Sequence, residues 1–276
     1  MALMQLLFVR LVRQGAAVLA VTIVMVAATS ARAGELVRQP LVVSAAASLK
    51  DSFTEIRQSF EQQHGDIQIL FNFASSSQLS NQIEQGAPVD VFAAADVSDV
   101  EHLFREGLTI EYRAFAENGV VVIVARDSGD RIADLGDLAK NGVRLVSAQK
   151  KVPIARYARE FLERADKSMR FGNDYRDAVL ANIVSEESDV RTMVMKVALG
   201  EVDGAIVYET DLHTDIAGKL NIIAIPPDLK VTARYGIAMI KGGPNVKAAR
   251  LFYDFVLSSQ GAAILSGYGF KPLAGH

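Results

Sequence analysis

The sequence predicts an α/β protein, with parallel sheets that carry helices on both sides. Three observations predict it. Short apolar runs of strand length alternate with stretches whose apolar residues recur at helical spacing. The alternation begins near residue 41 and restarts near residue 119. Small polar residues stand where strands give way to helices, as the turns of such units require.

Leu41–Ala46 reads as a buried strand, followed by Ser48 and by a helical face of Leu49, Phe53, Ile56 and Phe60. Ile67–Phe73 is a second strand, and Leu79 with Ile83 marks a helix that stops at Gly86. Val89–Ala94 is a third apolar run. The series restarts with the strand Gly119–Ala125 and a turn at Asp127–Asp130. Val143–Ser147, Ile154–Leu162, Val190–Leu199 and Gly204–Tyr208 continue the succession of strands and helices. Val231–Ile240 is a long strand, while Val246–Leu257 and Ala262–Leu265 are helical. Gly242, Gly243 and Pro244 form a turn rather than a domain boundary, and no internal repeat or low-complexity linker occurs.

The first residues point to export. Arg10 and Arg13 precede an uncharged apolar run from Gly15 to Ala28, and Ala31, Arg32 and Ala33 then offer small residues at a cleavage site. These are the marks of a secretory signal over residues 1–33, with a mature start at Gly34. The alternative, a membrane anchor, needs roughly 20 apolar residues, more than this run has. Taking three arginines from the 29 basic residues leaves 26 against 32 acidic ones, a formal charge of −6. That mild acidity argues against a nucleic-acid partner. The chain has no cysteine, which excludes thiol chemistry, Cys-based metal sites and a lipid anchor on an N-terminal cysteine. A soluble periplasmic monomer is the expectation.

The chemistry lies in neutral donors at helix starts. Ser48, with Asp51 three residues on, has the capping-box pattern and is expected at a helix N-cap. Capping alone would account for it. Ser75, Ser76 and Ser77 follow the next strand, and three serines exceed what one cap requires. Helix N-termini carry unpaired N–H groups and partial positive charge, so two such starts in one sheet would receive an anion. Val152, Pro153, Ile154 and Ala155 put proline at a first helical position, leaving the N–H groups of Ile154 and Ala155 unpaired. Ser188 to Arg191 opens another helix, with backbone donors around Val190. Tyr208 ends the apolar run from Val202 and brings a hydroxyl, although a tyrosine ending a strand is more often a packing residue than a ligand contact.

The order of these motifs resembles the periplasmic molybdate-binding proteins of ABC importers. Ala45 to Leu49, Phe73 to Ser77, Gln82 to Phe92 with Ala95 and Asp96, Gly204 to Tyr208, and Tyr268 to Phe270 carry the resemblance. It implies a two-lobed type II periplasmic binding protein, each lobe a mainly parallel sheet flanked by helices, with the ligand in the interlobe cleft. It also implies lobes at 34–118 plus 232–276 and at 119–231. By the same resemblance, a tetrahedral oxyanion, molybdate or tungstate, is held by the hydroxyls of Ser48 and Ser76, the N–H groups of Ile154 and Val190, and the hydroxyl of Tyr208. Molybdenum or tungsten would enter only as the oxyanion, without direct protein–metal bonds and without a cofactor, for delivery to a membrane permease. Burying a dianion without partners is very costly. Hydrogen bonds to a charged group contribute about 1.5–3 kcal/mol each and can offset that cost. A donor-only pocket also disfavours phosphate, whose proton finds no acceptor.

The stretch Ala148 to Arg156 departs from the family pattern. It lacks the usual acid and carries Lys150, Lys151 and Arg156, with Ile154 in place of a small residue. These cations either add positive potential at the entrance or form a solvated basic turn. His64, His102, His213 and His276 are scattered without metal-ligand spacing. No nucleophile elbow, P-loop or dinucleotide fingerprint appears, so no enzyme is expected. Glu209 is the one acid near the motifs and is expected to face solvent. Sulfate is the rival ligand, and an enzyme on a similar two-lobed fold is the rival from another class.

Overall fold

Every residue from Val43 to Leu49 is buried in the computed structural model, which describes residues 38–128, 131–212 and 217–273. The expected signal segment, residues 1–33, lies outside the described residues, as do His213 and His276. The chain runs β1 (Gln39–Ala46), α1 (Lys50–Gln63), β2 (Ile67–Ala74), α2 (Ser76–Glu84), β3 (Val91–Ala94), α3 (Val97–Arg105) and β4 (Thr109–Ala125). It continues with β5 (Leu145–Ala148), α4 (Pro153–Lys167), α5 (Tyr175–Ala181), β6 (Ile183–Glu187), α6 (Val190–Ala198) and β7 (Gly204–Tyr208). The last elements are β8 (Leu220–Ile223), β9 (Thr232–Ile240), α7 (Val246–Leu257), α8 (Ser259–Gly267) and β10 (Lys271–Pro272).

The strand order is β2-β1-β3-β9-β4-β7-β5-β6, with β8 and β10 also paired to β4. β1 is parallel to β2 and β3, and β5 is parallel to β6 and β7. The expected parallel sheets are therefore two trios of the same order, β2-β1-β3 and β6-β5-β7. Antiparallel strands join them: β9 pairs β3 and β4, and β4 pairs β7. β4 serves both sides. Thr109 to Gly119 pair with β9, whereas Val120 to Val124 pair with β7. Its earlier part escaped the sequence reading because Glu111, Arg113 and Glu117 interrupt the apolar pattern there. α3 and α5 were also missed; Asp96 caps α3 by accepting the Ser98 N–H at 2.8 Å.

A buried aspartate precedes the third strand of each trio. Asp90, before β3, accepts the N–H of Val42 at 2.8 Å and that of Asn245 at 2.6 Å. Asp203, before β7, accepts the N–H of Arg144 at 2.8 Å and the Ser128 hydroxyl at 2.9 Å. Burial alone would raise the Asp203 pKa, but these donors and Arg131 outweigh it and hold the carboxyl below its ordinary value. Each carboxylate stitches the start of its strand to a neighbouring segment, so the trios keep their register where N–H groups would otherwise be unpaired.

The core beneath the first trio is aromatic. Phe53 and Phe60 of α1 meet Phe252 of α7 edge-on, at ring separations of 6.0 and 5.5 Å. The C-terminal helix thus packs against the first. Among the described residues, no helix is long and apolar enough to cross a membrane. Phe53 is fully buried, so Phe53→Ala is expected to cost about 3–5 kcal/mol. A urea titration reads this as a lower midpoint, and a loss under about 1 kcal/mol would show that the cluster does not hold α1 in place.

Candidate functional site

Parallel strands place their carboxyl ends on one edge, where ligands of α/β sheets bind. In the first trio Ala46 of β1 lies opposite Ala74 of β2, so the residues following both strands come together. Ser48 follows β1 and Ser76 follows β2. In the second trio the segments after β5, β6 and β7 supply Ile154, Val190 and Tyr208. All five line one small pocket, together with Ala46, Ala47, Ser75, Ala95, Val152, Pro153 and Asp189. All five are buried.

Ser48 is not an N-cap. Ala47–Leu49 form a 3-10 turn, and α1 begins after Leu49 with no side-chain cap. The Ser48 hydroxyl instead lies 2.8 Å from the Tyr235 hydroxyl, and Asp51 pairs with Arg191 at 2.6 Å. In the serine triplet the roles divide. Ser75 is the N-cap of α2, and its N–H and hydroxyl reach Gln78 Oε1 at 3.3 and 2.9 Å. That arrangement leaves Ser76, the first residue of the helix, to face the pocket. Its Oγ accepts the Ala95 N–H at 2.9 Å.

Pro153 stands at the start of α4, as its missing N–H and fixed φ favour. Ile154 is the next residue, and its N–H belongs to the first turn, which has no intrahelical acceptor. The expectation for Ala155 is corrected: its N–H donates to the Val152 carbonyl at 3.0 Å, closing the first turn. Val190 is the first residue of α6. Asp189 caps that helix, accepting from the Thr192 N–H at 3.0 Å, the Thr192 hydroxyl at 3.1 Å and the Ser188 hydroxyl at 3.3 Å. Asp189 is the only carboxylate lining the pocket among the described residues, and Thr192 and Ser188 already donate to it.

Tyr208 ends β7 with its ring against Tyr157 and Tyr235, at 6.3 and 5.8 Å. Its hydroxyl is buried and has no hydrogen-bond partner among the described residues, an arrangement that fits a donor aimed at a ligand. Burial, reinforced by Tyr235, Tyr157 and Asp211, pushes its pKa well above the usual phenol value, so the hydroxyl keeps its proton. Asp211, raised to about 6 chiefly by burial against the pull of Arg191, accepts the Tyr208 N–H at 3.1 Å.

The cations of the departing loop do not line the pocket. Lys150 and Lys151 are exposed. Arg156 pairs with Asp96 at 2.6 Å and lies 3.7 Å from Asp99, which burial raises to about 6. Glu209 is half-buried and pairs with Lys230 at 2.7 Å, outside the pocket lining. His102 bonds Glu84 and His64 packs on Phe60; among the described residues no acid, histidine or cysteine cluster could hold a metal ion. Sequence reasoning missed Tyr235 and Asn118, which lie behind Ser48. Both sit within strands, where nothing in the pattern separates a buried polar partner from a packing residue.

Two helix starts, two serines and one buried phenol meet at one small pocket in a two-lobed solute-binding fold. The chain belongs to the bacterial extracellular solute-binding protein family, whose model matches residues 41–271. It is 32% identical over 234 residues to the molybdate-binding protein ModA of Mycobacterium tuberculosis, covering 84% of this chain and 85% of that protein. The periplasmic molybdate-binding protein of Azotobacter vinelandii superposes with a TM-score of 0.70 at 19% identity, over 83% of this chain and 98% of that one. The sulfate-binding protein SubI of M. tuberculosis superposes with a TM-score of 0.75 at 17% identity, over 86% and 88%. These two structures share the fold. The family consists of solute-binding proteins rather than enzymes.

None of the five donors loses a proton near neutrality. Oxyanion affinity is therefore expected to stay constant between about pH 7 and about 9. Calorimetry across that range tests it; a fall with a midpoint inside the range would require a titrating donor that the site lacks.

Proposed function

We propose that this protein captures molybdate, or tungstate, in the periplasm as a monomer and delivers it to the membrane permease of an ABC importer. The observation that carries the reading is the meeting of Ser48, Ser76, Ile154, Val190 and Tyr208 at one pocket without a lining cation. Five neutral hydrogen bonds to a dianion, at about 1.5–3 kcal/mol each, can offset its desolvation. Helix starts at α4 and α6 add favourable potential on one side of the ligand. The 32% identity to ModA over most of both chains supports the choice of ligand. In this reading one lobe comprises residues 34–118 plus 232–276 and the other 119–231, and the two close over the anion. β4 and β9, whose pairing joins the two trios, are the strands between them.

Sulfate is the second reading, because it presents the same charge and shape to the same donors. Bond lengths differ by a few tenths of an ångström, so pocket dimensions decide between the ligands. Titration calorimetry with molybdate, tungstate and sulfate tests the proposal. Molybdate and tungstate are expected to bind at least about tenfold tighter than sulfate; equal binding would overturn the assignment. Ser48→Ala and Tyr208→Phe are each expected to weaken molybdate by about 10- to 100-fold. Replacing Lys150 and Lys151 with alanine is expected to leave affinity at low salt unchanged, and a loss there would revive an entrance role for these cations.

A further inference from the structure

A serine hydroxyl has one proton and two lone pairs, so its other hydrogen bond decides what it can offer a ligand. The Ser48 hydroxyl is paired with that of Tyr235 at 2.8 Å, and either oxygen could donate. Asn118 breaks the tie. Its Nδ2 donates to the Thr210 hydroxyl at 2.7 Å and to the Tyr235 hydroxyl at 3.2 Å. This amide orientation pairs both Nδ2 protons and leaves Oδ1 without a partner. The flipped amide would instead strand two buried N–H groups, which are rarer in native structures than unpaired carbonyls. Asn118, as a donor, cannot receive the Tyr235 proton, so that proton goes to the other hydrogen-bond partner, Ser48 Oγ. Ser48 then has its own proton left for the pocket.

We propose that Tyr235, oriented by Asn118, is a positioning residue that commits Ser48 to donate, and so biases the site toward oxyanions that carry no proton. The inference rests on the oxyanion reading above and deepens it. Ser76 is committed in the same sense by a different group, since its Oγ accepts the Ala95 N–H at 2.9 Å and its proton remains for the pocket. Both serines thus present a proton to the ligand, with a lone pair of each engaged by the protein. A ligand that arrives with its own proton, such as hydrogen phosphate, finds one of the two lone pairs already taken at each serine, which halves their capacity to accept that proton. Asp189, the one lining carboxylate, is occupied by Thr192 and Ser188. The relay is fully buried: Asn118 and Tyr235 are at most 1% exposed, and the Tyr235 ring packs edge-on against Phe115 and Phe270. Water therefore does not compete for these protons, and the direction of donation is built into the fold.

Tyr235→Phe keeps the ring and deletes the hydroxyl. The test compares the wild type, Ser48→Ala, Tyr235→Phe and the double variant. Molybdate is titrated directly, and inorganic phosphate by competition under mildly alkaline conditions, where it is a dianion with one proton. Tyr235→Phe is expected to weaken molybdate by about three- to tenfold and to narrow the molybdate-to-phosphate preference by a similar factor. In the Ser48→Ala background the same change should cost nothing further, because the relay ends at Ser48. Equal weakening of both anions, or an undiminished loss in that background, would show a merely structural role and overturn the proposal. If Ser48→Ala leaves molybdate affinity unchanged, the assignment of Ser48 to the ligand fails first and takes this inference with it. Asn118→Leu, which removes the donor to Tyr235, should shift the preference in the same direction and serves if Tyr235→Phe does not fold.

Discussion

The constraint on which the rest depends is that an anion must be held in a buried pocket whose lining offers no free cation. A buried charge without partners is prohibitively costly, and without a counter-ion the compensation must come from many oriented dipoles. Such dipoles work only if they are fixed before the ligand arrives. Two parallel trios with their carboxyl ends facing the same pocket meet that need, because each strand end delivers a helix start, a serine or a hydroxyl. The fold is thus the means of preorganising donors, and the aspartates Asp90 and Asp203 hold the strands that carry them.

The charged residues near the pocket are arranged so that they cancel outside it. Arg156 is matched to Asp96 and lies near Asp99, and Arg191 is matched to Asp51. Asp189 spends its oxygens on the start of its own helix. Apart from Asp189, the described residues lining the pocket are neutral. Hydroxyl and amide groups do not titrate near neutrality, so the proposed mode of capture is insulated from pH.

Much of this was legible in the sequence, for physical reasons. Buried parallel strands read as continuous apolar runs, which made β1, β3 and β7 visible. Pro153 announced the start of α4, and serines after strands announced helix starts. The misreadings share one cause, which is that a side chain's partner is set by tertiary contact. Ser48 fits a capping pattern with Asp51, yet Tyr235, almost two hundred residues away, claims its hydroxyl. The Ala155 N–H turned inward to Val152 because the helix tightens at its first turn. The polar half of β4 was hidden because a half-exposed strand alternates with charges. Asn118 and Tyr235 had no local signature at all, and only the pairing of β4 with β9 brings them behind Ser48.

The central claim is that five neutral donors, and no cation, hold a tetrahedral oxyanion in this pocket. A crystal structure of the molybdate complex, with the molybdenum located by its anomalous scattering, tests it most directly. The account predicts a single molybdenum peak in the pocket, with oxyanion oxygens about 2.7–3.1 Å from Ser48 Oγ, Ser76 Oγ, Ile154 N, Val190 N and Tyr208 Oη. Molybdenum bound elsewhere, or held there by a lysine or arginine side chain, would contradict it.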